Sequence, residues 1–197
     1  MKNSKYPTYD VMEQQEHWDE HTRSIVSSRL VREHGYRFLT TVEAETLRAW
    51  CPLLVDDTRA DIIQYVLCHI DETLEKNKGE SQRKPGVPPE RELLRSGLKA
   101  MEQAALSAHG RNFFHLDEET RRKLLTELSQ ADAEPSSVWN GVPQKELFGK
   151  VLALTVESYY SHPTVWSEIG YGGPAYPRGY VRTNIGQLDP WEAKAEP

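Results

Sequence analysis

The 197-residue chain has few cysteines, no long apolar run and no excess of basic charge. Its two cysteines, Cys51 and Cys68, cannot form an all-cysteine metal centre or hold an iron–sulfur cluster unaided. The apolar runs are far shorter than the roughly 18 residues that suggest a membrane span. With 24 basic and 30 acidic residues, the net charge is −6. The chain therefore lacks the clustered positive charge of a nucleic-acid-binding protein, and we expect neither nucleic acid nor direct membrane insertion.

Export features are missing from the first residues. Between Met1 and Gln15 there is no apolar segment and no twin arginine, which are the features of secretory leaders. From this absence we expect a cytoplasmic protein. Both cysteines should then be free thiols, because structural disulfides belong to oxidising compartments. Cys68 falls within an apolar pattern, so we expect it to act as a small buried apolar residue.

Apolar side chains recur at helical spacing along most of the chain, and no stretch alternates long enough to predict a strand. The pattern predicts an all-α bundle of about six helices over residues 1–160. Thr40 and Glu43 form a capping-box pattern before the second helix, and Asp117 is placed to cap the fifth. Residues 77–89 contain three prolines and two glycines, so they predict a mobile loop.

The tail, residues 161–197, has a different composition. Between Tyr159 and Trp191 lie seven of the chain's 18 aromatic residues, together with five glycines and four prolines. Glycine and proline disfavour helix, whereas disordered chains are poor in aromatic residues. We therefore expect an irregular tail that is ordered by packing on the bundle, on a partner, or on both.

Tyrosines and glycines alternate in this tail in a way that favours a protein interface. Tyrosine supplies a large contact area with a polar tip, and glycine allows close backbone approach. Two other interpretations stay open: the tail packs only on its own bundle, or its rings form a carbohydrate-binding platform. The candidate interface residues are Tyr159, Tyr160, Trp166, Tyr171, Gly172, Gly173, Gly179 and Tyr180.

No self-contained catalytic motif is present, so we predict no catalytic, cofactor-binding or metal-binding residue. The sequence has no nucleophile elbow, phosphate loop or dinucleotide-binding glycine pattern. His17 and His21 are four residues apart, and on one helix they could hold a metal together with a nearby carboxylate. Their order is not the His-Glu-x-x-His of zinc proteases. A metal-dependent enzyme built on this pair, and a self-contained helical adaptor, are the alternative hypotheses.

Several short motifs match one known family in order and spacing. In the helical part they are Thr22-Arg23 to Arg29-Leu30, Phe38-Leu39-Thr40 with Glu43 and Thr46-Leu47, and the helix from Tyr65 to Ile70-Asp71. In the tail they are Glu157 to Pro163, Tyr171-Gly172-Gly173, Gly179-Tyr180 and Ile185-Gly186. Together they resemble the gluconate 2-dehydrogenase subunit 3 family.

The resemblance implies a non-catalytic small subunit of a flavin-dependent dehydrogenase of the glucose–methanol–choline type. In such complexes a large flavoprotein subunit holds FAD and oxidises an alcohol carbon of a sugar or sugar acid. The small subunit stabilises the large one, and in exported members it often carries the twin-arginine leader. This sequence departs from the family in two ways: it shows no such leader, and Pro174 replaces the asparagine that usually follows Tyr-Gly-Gly.

Overall fold

A computed structural model describes residues 4–30, 35–78 and 83–196. Within these ranges the regular elements are all helices and there is no strand, which confirms the predicted all-α class. Short 3-10 helices span Val11–His17 and Phe113–His115. The α-helices are α1 (Glu20–Ser28), α2 (Thr41–Val55), α3 (Ala60–Lys76), α4 (Glu90–His109), α5 (Glu118–Gln130), α6 (Gln144–Tyr159) and α7 (Pro163–Ile169).

The six helices that the sequence predicts correspond to α1 through α6. The seventh helix, α7, corrects the expectation of a tail that is irregular throughout. His162 caps it by accepting the Thr164 amide N–H at 3.2 Å. Val165 and Trp166 are buried, so tertiary packing offsets the low helix propensity of the surrounding sequence.

The chain folds into two compact units. The first, called here the bundle unit, is residues 34–158, and it contains α2 to α5 and all but the last residue of α6. The second, called here the terminal unit, is residues 1–33 and 159–197, with α1 and α7. From the sequence we expect the N-terminal residues to belong to a bundle domain that spans residues 1–160. That division stays a prediction, while in the structure the N-terminal residues are grouped with the tail.

Aromatic rings occupy the centre of the bundle unit. The fully buried Trp50 ring lies 6.2 Å from that of Phe113 and 6.5 Å from that of Phe148, measured between centroids. Gly97 of α4 faces Leu147 of α6 so closely that an added Cβ would overlap the Leu147 methyl groups. Burying each such large apolar side chain contributes roughly 1.5–3 kcal/mol.

Two sequence motifs meet at Asp71, a buried carboxylate near the end of α3. Its Oδ2 accepts the amide N–H of Arg37 at 2.8 Å, and its Oδ1 accepts those of Phe38 and Leu39 at 2.9 and 2.7 Å. These bonds hold the segment that leads into α2. A buried carboxylate needs such donors, because an unpaired buried charge is strongly unfavourable.

Both predicted helix caps are confirmed. Thr40 donates its amide N–H to Glu43 Oε2 at 2.8 Å and accepts the Glu43 amide N–H at 3.3 Å, forming the capping box of α2. Asp117 accepts the Thr120 amide N–H at 2.9 Å at the start of α5. This hydrogen bond is the main reason that the pKa of the Asp117 carboxyl lies below its ordinary value.

The two cysteines are free thiols, Cys51 buried and Cys68 half-buried. Burial raises the pKa of Cys51 to about 11. Of the predicted loop 77–89, residues 79–82 lie outside the described residues, and the part from Arg83 onward contains a turn closed by Val87 N–H and Lys84 O at 3.2 Å. Among the helices of the described ranges, none has the length and apolar character to cross a membrane.

The terminal unit has its own small core. Val11, Trp18, Val26 and Trp166 are buried against one another, with Tyr9 packed beside them. The two ends of the chain also pair here. Glu196 N–H donates to Lys5 O at 2.9 Å, and Tyr9 Oη–H donates to Trp191 O at 2.8 Å.

Candidate functional site

The Tyr171-Gly172-Gly173 motif belongs to the terminal unit, and tryptophans contact both of its glycines. A Cβ added to Gly172 would lie 3.2 Å from Trp191 Cδ1. Gly173 has φ +80°, and a Cβ there would lie 2.6 Å from Trp18 Cζ2. Only glycine therefore allows Trp18 to approach the backbone at 173, and its φ value is one that other residues rarely adopt.

The ring of Tyr171, the first residue of the motif, packs against a third tryptophan, Trp166. The Tyr171 ring meets the Trp166 ring edge-on, with 5.3 Å between centroids. Arg29 also lies over Trp166, at 5.3 Å, and donates to Ser161 O at 2.9 Å. Tyr171 itself remains 44% exposed, and partial burial raises its pKa. The ring is thus packed against Trp166 while part of the residue remains exposed.

Arg178 ties the motif to the following loop. Its Nη2 donates to Gly172 O and, at 3.4 Å, to Gly173 O. Its guanidinium lies over the Trp191 ring at 4.5 Å, an arrangement with a favourable cation–π contribution. Burial lowers the pKa of Arg178, and the nearby phenol of Tyr9 acts in the opposite direction.

Residues 174–188, called here the C-terminal loop, are held by two side chains that accept backbone N–H groups. Asp189, only 2% exposed, accepts the amides of Val181 at 2.8 Å and Arg182 at 2.7 Å through Oδ1. Gln187 Oε1 accepts the amides of Thr183 and Asn184 at 3.2 and 3.3 Å. The loop has no helix or strand within it, yet its backbone is fixed by hydrogen bonds.

The C-terminal loop presents an unusual amount of apolar surface. Tyr176 is 70% exposed, Tyr180 is 65% exposed and Ile185 is fully exposed. Val181 and Leu188 are also exposed. Single exposed apolar side chains are common, whereas several on one short loop are typical of an interaction surface.

The structure separates the eight predicted interface residues into two groups. Tyr159, Trp166, Gly172 and Gly173 are buried, whereas Tyr160, Tyr171, Gly179 and Tyr180 are exposed. In this conformation the buried four support the surface from within. The assignment of the tail as an interface stays a prediction. The candidate list omits Tyr176, Val181, Ile185 and Leu188, although Tyr176 belongs to the same series of tyrosines as Tyr171 and Tyr180, and Val181 directly follows Tyr180.

His17 and His21 do not share a helical face, which corrects the premise of the metal-enzyme hypothesis. His17 ends the first 3-10 helix, and α1 begins only after Asp19, which caps it by accepting the Thr22 amide N–H at 2.7 Å. The His17 ring instead lies 5.8 Å from that of Trp191. Within the described ranges, no three histidine, cysteine or carboxylate side chains are grouped so that they could hold a metal ion.

Comparison with known proteins identifies the family. The family model of gluconate 2-dehydrogenase subunit 3 matches residues 41–173, which run from the first residue of α2 to the end of the Tyr-Gly-Gly motif. The chain therefore belongs to the gluconate 2-dehydrogenase subunit 3 family, and with it to the accessory subunits of dehydrogenase complexes. Neither the curated proteins nor the solved structures gave a match. The C-terminal loop lies beyond the matched residues.

Proposed function

We propose that this chain is the non-catalytic small subunit of a flavin-dependent dehydrogenase that oxidises a sugar or sugar acid. Its role in this proposal is to bind and stabilise a larger flavoprotein subunit, which holds FAD. The family match supports the subunit role. The proposal assigns FAD to the larger subunit because the family resemblance implies a flavoprotein partner. A cytoplasmic location is part of the same proposal.

The observation that carries the proposal is the exposed apolar side chains on a hydrogen-bonded loop. Tyr176 and Tyr180 are more than half exposed, and Asp189 accepts the amide N–H groups of Val181 and Arg182, the two residues that follow Tyr180. A loop that is already ordered loses less conformational entropy on binding than a flexible one. Exposed tyrosines on such a loop are suited to become the buried anchors of an interface.

Purification from the native host tests the subunit role. The tagged protein is isolated gently, and the absorption spectrum and chain composition of the product are recorded. A larger chain in stoichiometric amount, with the spectrum of oxidised flavin, is the expected result. A colourless protein that elutes alone would contradict the proposal. Fractionation of the same cells tests the location.

Alanine substitution then tests the loop. Tyr176 and Tyr180 are better targets than Tyr171, because Tyr171 also packs on Trp166. Replacing both by alanine should weaken partner binding by about 2–4 kcal/mol in total, roughly 30- to 1,000-fold in Kd. Val156→Ala, which alters an exposed apolar residue of α6, is the matched control. Unchanged affinity in the double variant would refute the assignment of the loop.

A further inference from the structure

The loop between α5 and α6, residues 131–143, exposes an asparagine that is directly followed by a glycine. Asn140 and Gly141 are both exposed and lie in a turn. Val142 N–H closes this turn by donating to Trp139 O at 2.9 Å. Gly141 stands at the third position of the turn with φ +79°, the left-handed value that a type II turn requires there. Nothing described so far uses this pair of residues.

The loop is anchored on both sides of the turn. Trp139, directly before Asn140, is only 4% exposed. Gln144, the first residue of α6, accepts the Ala133 amide N–H at 3.0 Å through Oε1 and donates Nε2–H to Ala133 O at 3.1 Å. The asparagine and the glycine therefore form the exposed tip of a loop whose base is fixed.

The peptide group between Asn140 and Gly141 is not itself held. Within the ranges that the structure describes, no hydrogen bond involves the Asn140 side chain, the Asn140 carbonyl or the Gly141 N–H. A Cβ added to Gly141 would find no atom within 4 Å, and glycine adopts positive and negative φ about equally readily. This peptide group can therefore rotate without breaking a hydrogen bond of its own.

Such rotation matters because an asparagine side chain can react with the backbone that follows it. When the next amide nitrogen reaches the carbonyl carbon of the side chain, the two can join in a cyclic imide, a succinimide. A side chain on the next residue obstructs this approach, and a hydrogen bond to either reacting group opposes it. Glycine, which has no Cβ, obstructs the approach least.

The other described asparagines lack this combination of features. Asn112 is tied down, since it donates Nδ2–H to Glu102 Oε2 at 2.9 Å. Asn77 and Asn184 are exposed, but a lysine follows the first and an isoleucine follows the second. Among the described residues, Asn140 is thus the asparagine with an exposed side chain, an unbonded neighbouring amide and a glycine after it.

We propose that Asn140 is a site of spontaneous deamidation. The Gly141 amide nitrogen gives up its proton to hydroxide and attacks Asn140 Cγ, so that an N–C bond forms. The Cγ–Nδ2 bond then breaks, and Nδ2 takes up a proton from water and leaves as ammonia. Water opens the succinimide at either carbonyl, which yields aspartate or isoaspartate. Either product adds one negative charge to the chain's net −6, and isoaspartate also adds a backbone methylene directly after the buried Trp139.

Ageing of the purified full-length chain tests this proposal, which does not depend on the proposed function. The folded protein is kept in mildly alkaline and in mildly acidic buffer, digested under acidic conditions, and followed by peptide mass spectrometry. We expect Asn140 to gain the mass that separates a carboxylic acid from an amide at least about tenfold faster than Asn77 or Asn184. The reaction should be slower in the acidic buffer, because it requires removal of the Gly141 amide proton. Aspartyl and isoaspartyl peptides, which chromatography separates, should both appear.

Two matched comparisons connect the reaction to the structure. Asn140→Gln keeps the amide but adds a methylene, so the mass gain at this position should slow at least about tenfold. Ageing in guanidinium chloride gives the rate of the unfolded chain, and we expect the folded chain to react within about tenfold of it. Circular dichroism checks that each aged sample is folded or unfolded as intended.

Three results would overturn the proposal. A folded chain that reacts more than about tenfold slower than the unfolded chain would show that the turn protects Asn140. Equal rates at Asn140, Asn77 and Asn184 would show that the following glycine and the unbonded amide have no influence. A product that contains aspartate and no isoaspartate would mean that water attacks the side chain directly, without the Gly141 nitrogen.

Discussion

Alanine substitutions at three glycines of the terminal unit separate backbone strain from steric overlap. Gly179 has φ +69° and nothing within 4 Å of an added Cβ, so Gly179→Ala adds strain alone. Gly173 has φ +80°, and its added Cβ would also lie 2.6 Å from Trp18. Gly172 has no such φ but a tight approach of 3.2 Å to Trp191. Gly173 and Gly179 therefore share the backbone strain and differ in the steric overlap, whereas Gly172 has a close contact without the strain.

The expected losses in the free energy of unfolding follow from these differences. A left-handed conformation costs alanine about 1–2 kcal/mol, which is the whole expected effect of Gly179→Ala. Overlap with a packed ring adds about 1–3 kcal/mol, so Gly173→Ala should destabilise the terminal unit by about 2–5 kcal/mol. Gly172→Ala needs a shift of only a few tenths of an ångström, and about 1 kcal/mol or less is expected.

Urea unfolding followed by tryptophan fluorescence is the appropriate assay. Trp18, Trp166 and Trp191 belong to the terminal unit, and the other two tryptophans, Trp50 and Trp139, to the bundle unit. Circular dichroism reports mainly the larger helices. Comparing the urea midpoints from the two probes therefore shows whether the two units unfold together or separately. Equal costs for Gly173→Ala and Gly179→Ala would refute the inference that close packing of Trp18 requires glycine at 173.

Three further substitutions test the bundle unit by urea unfolding. Asp71→Ala leaves two buried amide donors and a third, partly buried one without an acceptor. At about 1–3 kcal/mol for each buried donor, we expect the free energy of unfolding to fall by about 2–6 kcal/mol. A fall below about 1 kcal/mol would contradict this account. Gly97→Ala should cost about 1–3 kcal/mol through overlap with Leu147, and the Gly97→Ala/Leu147→Ala double variant should lose less than the sum of the two single losses. Hydrogen bonds lower the Asp117 pKa, so its stabilisation is present above the ordinary carboxyl pKa and is lost as pH falls through the lowered value. The difference in urea midpoint between wild type and Asp117→Ala should therefore be largest above the ordinary carboxyl pKa and should shrink as the pH falls below it; a difference that does not change with pH would refute this account.

Local patterns predict the helical fold well because capping and apolar spacing are local properties. The Thr40–Glu43 capping box is recognisable from four residues, and the structure contains both of its hydrogen bonds. The error at His17 and His21 is also local in origin. Asp19 followed by Glu20 is a signal for a helix N-terminus. This signal predicts that a new helix begins after Asp19, which places His17 and His21 on different helices.

Long-range packing limits what the sequence reveals about the candidate site. Trp166 and Tyr176 look equally suited to an interface by residue type, yet one is 5% exposed and the other 70%. The difference arises because Trp166 packs with Trp18 and Val26, residues roughly 140 positions earlier in the chain. Helix α7 depends on the same packing. Such pairings carry no local signal, so a single sequence cannot identify them.

The arrangement of the terminal unit explains how a loop with so much exposed apolar surface remains ordered. The tryptophans around Gly172 and Gly173 fix the start of the loop, and Arg178 bonds to the carbonyl groups of both glycines. Asp189, just beyond the loop, holds its middle through the amides of Val181 and Arg182. Because these buried interactions offset the entropy cost of ordering during folding, a partner that binds Tyr176 and Tyr180 would meet a surface already in place. Binding strength would then depend on residues that never touch the partner.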